Sequence, residues 1–222
     1  MSSLISKCFI VLSRLCPFPS QLLTFSYDST FSAFAYHLHT NTIGPLITAQ
    51  QLLKLSSPTA STPALRTEAP LRTQPIASPT PIQIKTLVFI SSDSGSTQNF
   101  RSFEDGFGAY AVSKAALNQG LRHLAAELHR QSKQEPARQV PVVLALHPGE
   151  VSTDMAANAG LDWDVEGIIG AEESIGCMLK VIEEKGFGGA DEGGKLSAKK
   201  DDRKWEDGEA SFWTWEGNRY PW

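Results

Sequence analysis

The sequence predicts an α/β fold of three layers, with helices packed on both sides of a short parallel sheet. Three observations lead there. Two apolar runs without polar alternation, residues 87–90 and 140–146, read as strands buried on both faces. A long stretch with helically spaced apolar residues lies between them, and a second helical stretch follows the later run. Strand, helix, strand, helix in this order is how parallel layering is written in a chain.

Taken in order, residues 1–30 form an atypical amino-terminal segment. A lysine precedes a short apolar run, but Ser13 and Arg14 interrupt it before a secretory core forms. The run is also far shorter than the roughly 20 apolar residues that span a bilayer. Residues 9–12, Phe-Ile-Val-Leu, are the only part of it suited to stand in as a strand. Residues 31–55 read as a helix in which Ile43, Leu46, Ile47 and Leu53 oppose Gln50 and Lys54, with Pro45 in its first turn or at a kink. From 56 to 81 the composition changes, with six of the thirteen prolines and many Ser and Thr residues. Such a stretch buries too little apolar surface to offset the entropy of ordering, so a flexible insertion is expected at about 56–82.

The strand of residues 87–90 is followed by a Ser/Asp/Gly-rich turn and then by the strongest helical pattern, residues 109–134. There Ala111, Ala115, Leu117, Leu121, Leu124, Ala125 and Leu128 line one side, and Pro136 terminates the run. The second strand breaks at His147-Pro148-Gly149. Residues 171–185 give another helix, with Ile175, Met178, Leu179 and Ile182 apolar and Gly186 as its carboxy-terminal cap. Residues 188–209 are rich in glycine and in charge of both signs and predict a second flexible, solvated insertion. The closing Ser-Phe-Trp-Thr-Trp run is strand-forming, ends in a turn at Glu216-Gly217-Asn218, and uses its tryptophans for packing.

At 222 residues, with 41% hydrophobic and 20% charged content, the chain is long enough to bury one core. A net charge of −4 without a basic run argues against nucleic acid or an anionic membrane as partner, and a small-molecule ligand fits better. The three cysteines, Cys8, Cys16 and Cys177, lack CxxC spacing and suggest neither disulfides nor zinc, so a reducing, cytoplasmic setting is expected. His37, His39, His123 and His129 show no metal-like spacing and are expected at the surface, and His147 is expected to fill the turn before Pro148. No metal is therefore expected.

The chemistry concentrates on a few positions. Tyr110 and Lys114, four apart on the long helix, project from one face one turn from each other. An ammonium held beside a phenol favours its ionised form and is expected to lower the tyrosine pKa from about 10. A phenol so placed exchanges a proton with an oxygen, which carbonyl reduction and alcohol oxidation both need. Alone, a Tyr and a Lys four apart are a common surface pair. Ser92 strengthens the reading, because it follows a buried strand at the end where open α/β sheets hold their ligands.

Four segments in this order resemble the short-chain dehydrogenase/reductase family: NTIGP at Asn41, ISSDSGS at Ser92, YAVSK at Tyr110 to Lys114, and HPGEVSTDM at His147. The final aromatic strand is similar to that of the carbonyl-reductase-like members, and so is the long stretch between Ser92 and Tyr110. The resemblance covers most of the chain from about residue 31 onward, outside the two insertions. It implies the later half of a Rossmann-like, doubly wound sheet, hydride exchange between NAD or NADP and a carbonyl or secondary alcohol, and a homodimer through the long helices. It further implies Tyr110 as acid/base, Ser92 as holder of the substrate oxygen, Lys114 on the nicotinamide ribose, and Asn41 in a proton relay near the lysine. Pro148, Gly149, Val151 and Thr153 would meet the nicotinamide, and residues 156–170 would form a lid.

The sequence departs from that family at its start. No glycine-rich strand-to-helix turn precedes Asn41, and the NNAG segment usual after the fourth strand is missing. The expectation is an amino-terminally truncated domain over 31–222. Two readings stay open: an oxidoreductase, weakened or inactive without its pyrophosphate grip, or a non-catalytic remnant serving as an interaction module.

Overall fold

The computed structural model describes residues 9–12, 31–56, 83–100, 108–135, 139–152 and 167–222. The Pro/Ser/Thr-rich insertion beyond residue 56, the helix-ending Pro136, Thr153 and almost all of the expected lid lie outside the described residues. Among the described residues, four strands form one sheet in the order β1 (Phe9–Leu12), β2 (Thr86–Ile90), β3 (Val142–His147) and β4 (Ser211–Thr214), each pair parallel. The Phe9–Leu12 run thus takes the position beside β2, with Val11 level with Val88.

Alternation along the strands separates two cores. Leu87, Phe89, Val143, Ala145 and Phe212 face one side, where they meet Ala49 and Leu53 of α2 (Gly44–Leu55) and Leu117, Leu121, Ala125 and Leu128 of α3 (Gly108–Gln134). Val88, Leu144, Leu146 and Trp213 face the other side, against Val181 and Ile182 of α4 (Ala171–Lys185). The result is the expected three-layer α/β arrangement. Because β4 continues the same lateral order while α4 crosses the opposite face, the last crossover has the opposite hand to the two before it.

Three expectations change. Residues 31–55 are helical throughout but not uniform: α1 (Phe31–Leu38) passes into a π-helical turn, His39–Ile43, before α2. The wider turn shifts the inward face, so Ala49 and Leu53 are buried while Ile43 and Ile47 stay exposed. On α4 the inward positions are Ser174, Val181, Ile182 and Lys185, and Ile175 and Leu179 stay exposed.

The expected solvated loop over 188–209 contains a 3-10 turn, Glu192–Gly194, and a short helix, α5 (Lys195–Lys200), around buried Asp191 and Ala198. A buried ion pair organises it: Lys185 Nζ reaches Asp191 Oδ2 at 2.8 Å. The same ammonium lies 4.4 Å above the centre of the Trp213 ring. Burial opposes charge on both groups. Hydrogen bonds to Asp191 and Glu184 nevertheless leave the Lys185 pKa raised, and those from Lys185, Ser197 and the Leu196 amide leave Asp191 below its usual value. Charged residues thus fold this stretch by pairing inward.

Candidate active site

The site is built at the carboxy end of β2. Backbone pairing continues past the strand, with the Ser91 amide donating to the Leu146 carbonyl at 2.7 Å. A 3-10 turn, Asp93–Gly95, then carries the chain away from the sheet. Ser92 precedes that turn in extended conformation, and its Oγ accepts from the Ser94 amide at 3.3 Å. Gly95 lets the turn touch α3: a Cβ there would lie 2.7 Å from the Lys114 Cβ and 2.9 Å from its backbone carbon. Asn118, one turn beyond Lys114, accepts from Ser91 Oγ at 2.6 Å and donates to the Gly95 carbonyl at 3.1 Å. These contacts fix the turn against the helix.

Tyr110, Ser92 and Lys114 come together here. The Ser92 side chain lies within reach of the Tyr110 phenol and favours its ionised form. Ser92 Oγ in turn donates to Asp93 Oδ1 at 2.9 Å. Lys114 Nζ sits 5.6 Å from the centre of the Tyr110 ring and donates to the Ile90 carbonyl at 2.9 Å.

Electrostatics correct one expectation. Burial pushes the Tyr110 phenol up to about 12. The Ser92 side chain works against that rise, and the charges of Asp93 and Glu150 add to it. Burial also lowers Lys114 to about 8. The lysine is therefore not what sets the phenol's acidity: desolvation outweighs any pull from the ammonium, and at neutral pH Tyr110 holds its proton.

Asn41 lies in the π-helical turn and is buried. Its Nδ2 donates to Ser113 Oγ at 3.0 Å, and Thr42 Oγ1 donates to the Ser113 carbonyl at 2.6 Å. These bonds clamp the turn to α3 at the residue before Lys114. His37, expected at the surface, is only 1% exposed and meets the Tyr110 ring edge-on, the centroids 6.3 Å apart. A lone histidine gives no sign of this in sequence, because its inward turn follows from the packing of α1 on α3.

After β3, Gly149 adopts a left-handed φ of 85°, where a Cβ would approach the Trp215 ring to 2.8 Å. Ser174 Oγ of α4 donates to the Pro148 carbonyl at 2.6 Å, and Val151 bridges to Ile169. This loop reaches the site through His147, whose Nδ1 accepts from the Asp93 amide at 3.3 Å. His147 therefore does more than fill a turn. Asp93 and Glu150, absent from the sequence-derived site, complete its acidic side.

No family model matches the chain. It is 35% identical over 109 residues to an uncharacterised oxidoreductase of Schizosaccharomyces pombe, covering 45% of this chain and 39% of that one. It is 30% identical over 159 residues to an uncharacterised oxidoreductase of Saccharomyces cerevisiae, covering 68% and 49%. The chain thus spans less than half the length of these relatives. Among solved structures it is similar to the Sniffer carbonyl reductase of Drosophila melanogaster, with a TM-score of 0.55 at 21% identity over 96% of this chain and 66% of that one. An NADPH-bound carbonyl reductase from chicken fatty liver gives 0.51 at 24%, covering 96% and 63%. A Burkholderia multivorans protein assigned to the short-chain dehydrogenases/reductases, with bound NADP, gives 0.54 at 19%, covering 96% and 65%. In sequence the chain is similar to oxidoreductases, and its fold is that of the short-chain dehydrogenases/reductases, carbonyl reductases among them.

Proposed function

We propose that this chain supplies the proton-handling side of an oxidoreductase site that reduces a small carbonyl compound with a nicotinamide cofactor. The observation that carries this is the meeting of Tyr110, Ser92 and Lys114 at the carboxy end of a parallel sheet, where such folds hold ligands. With its pKa raised by burial, the phenol is protonated at neutral pH and can give its proton to a substrate oxygen, as reduction requires. Ser92 would hold that oxygen, rotating its hydroxyl from Asp93 to do so.

The residues present fit one end of a dinucleotide. On this reading Lys114 and Tyr110 would bind ribose hydroxyls, and the backbone of Pro148, Gly149 and Val151 would meet the amide. When bound there, the nicotinamide supplies hydride. The sequence has no glycine-rich turn for the pyrophosphate, so these residues account for that end only. The NADP and NADPH bound in two of the similar structures favour NADP(H) over NAD(H). The test is titration of the purified chain with NADPH and NADH, followed by carbonyl-dependent NADPH oxidation. Saturable NADPH binding supports the reading, and none at millimolar cofactor overturns it.

A second reading, an interaction module pairing through α2 and α3, is favoured by one observation. Ile43, Ile47 and Val112 are each more than 40% exposed, and the Thr42–Ser113 bond brings the segments that bear them together. Sedimentation at equilibrium tests it: a dimer dispersed by Ile47→Asp supports pairing there, and a monomer at high concentration excludes it.

A further inference from the structure

We propose that Asp93, His147 and Glu150 form a binding site for a divalent transition-metal ion of the zinc class, at the carboxy edge of the sheet beside Ser92. One ligand atom from each of the three side chains lies within 4.8 Å of the other two. They come from three pieces of chain: Asp93 opens the 3-10 turn after β2, His147 ends β3, and Glu150 follows the Pro148-Gly149 turn. The left-handed Gly149 reverses the backbone, bringing His147 and Glu150 to the same cluster although they are three residues apart.

The spacing suits coordination. Two ligands of one zinc ion, each about 2.0–2.1 Å from it in tetrahedral geometry, stand roughly 3.4 Å apart. Asp93 Oδ1 and His147 Nδ1 are 3.6 Å apart. Glu150 is exposed, so its side chain can close the remaining gap at little cost in packing.

His147 Nδ1 accepts from the Asp93 amide at 3.3 Å, a long bond that a metal ion would replace on that lone pair. Asp93 Oδ1 is oriented by the Ser92 hydroxyl at 2.9 Å and the Ser94 amide at 2.8 Å, the kind of support that holds ligating carboxylates. Two carboxylates so close repel each other, and a divalent cation between them removes that repulsion. One imidazole with two carboxylates favours zinc, manganese or iron over calcium and magnesium, which prefer oxygen alone. Three protein ligands leave a coordination position for water or a substrate oxygen.

This inference goes beyond the oxidoreductase reading and does not depend on turnover. The test uses the full chain stripped with EDTA, titrated with ZnCl2 by calorimetry near neutral pH, and with CoCl2 followed by visible absorption. The expected result is one saturable equivalent and ligand-field bands of bound cobalt. Asp93→Asn and Glu150→Gln should each weaken Zn2+ binding by at least about tenfold, the loss seen even when a supporting group is removed from a metal site. His123→Gln, on exposed α3 surface, should leave it unchanged. Asparagine can still accept from the Ser94 amide through Oδ1 and Glu150 is exposed, so both variants should retain the native circular dichroism spectrum. Wild-type affinity in both variants, or no saturable binding by the parent chain, would overturn the site. In the parent chain, NADPH binding without Zn2+ binding would sink the metal site alone, and Zn2+ binding without NADPH binding would sink the oxidoreductase reading alone.

Discussion

Lys114 is fastened to Ile90: its Nζ donates to the carbonyl of the last residue of the central strand at 2.9 Å. The amine is thereby drawn beneath the sheet edge, 8% exposed as a residue, while its ring contact with Tyr110 stays at 5.6 Å. One carbonyl does not restore the hydration an ammonium loses on burial, so the charged form is disfavoured. The arrangement therefore exchanges stability for a lysine that titrates close to physiological pH.

That exchange has a pH signature. Lys114 titrates near 8 in the fold against 10.5 when unfolded, so below pH 8 the folded state carries the full cost of a buried charge. Stability should climb as pH rises from about 8 to 10, by roughly 2 kcal/mol from this group. Tyr110 acts in the other direction. Its pKa is about 12 in the fold and 10.0 when unfolded, so its contribution is lost as pH rises from 10 toward 12. Urea unfolding at several pH values should give a maximum near pH 10, and Lys114→Met should flatten the rise below it. A wild-type profile in Lys114→Met would show that the lysine is solvated.

For Tyr110→Phe the expected result is loss of carbonyl-dependent NADPH oxidation with the fold intact. The Ser92 hydroxyl keeps Asp93 Oδ1 as its acceptor, so removing the phenolic oxygen should cost no more than about 1 kcal/mol in denaturant unfolding. An unchanged turnover rate would remove Tyr110 from the chemistry. A collapse in stability would instead make it a structural residue.

Gly95→Ala tests how the turn positions the site. The added methyl would meet the Lys114 Cβ at 2.7 Å and its backbone carbon at 2.9 Å, and backbone cannot swing aside as the tip of a side chain can. The expected cost is about 1–3 kcal/mol, the range for overpacking a filled contact. The displaced helix should also weaken NADPH binding, since Lys114 and Tyr110 share it. Full stability in the variant would mean that the turn and α3 are less closely docked.

The YAVSK run was legible because its chemistry is local: one helical turn brings Tyr110 and Lys114 to the same face whatever else the chain does. Ser92 was legible from its place after a buried strand. What the sequence hid depended on contacts between distant segments. Asp93 read as a turn residue and Glu150 carried no signal until the Pro148-Gly149 turn set them beside His147. His37 is buried through the packing of α1 on α3, and a π-helical turn leaves no pattern of apolar spacing to announce it. The tyrosine pKa was misjudged for a related reason: sequence reveals a neighbouring charge but not the desolvation that outweighs it.

The 188–209 stretch hid its order in charge. Lys185 and Asp191 are both almost fully buried, 2.8 Å apart, with Trp213 beneath the ammonium. Removing one partner leaves the other in a poorly solvated place with only part of its compensation, Glu184 for the ammonium, Ser197 and the Leu196 amide for the carboxylate, a change that costs up to about 3–5 kcal/mol. Asp191→Ala should therefore destabilise the chain severely, and Lys185→Ala comparably, while the double variant should cost less than the sum of the two. The acid side follows from the carboxyl. Asp191 is held below its usual pKa, so its contribution is present above the unfolded value of 3.8 and is lost as pH falls through the lower folded value. Thermal unfolding of the four proteins of this cycle at neutral pH decides the matter. Additive single losses would mean that the pair is solvated and that Trp213, rather than the salt bridge, holds this corner of the fold.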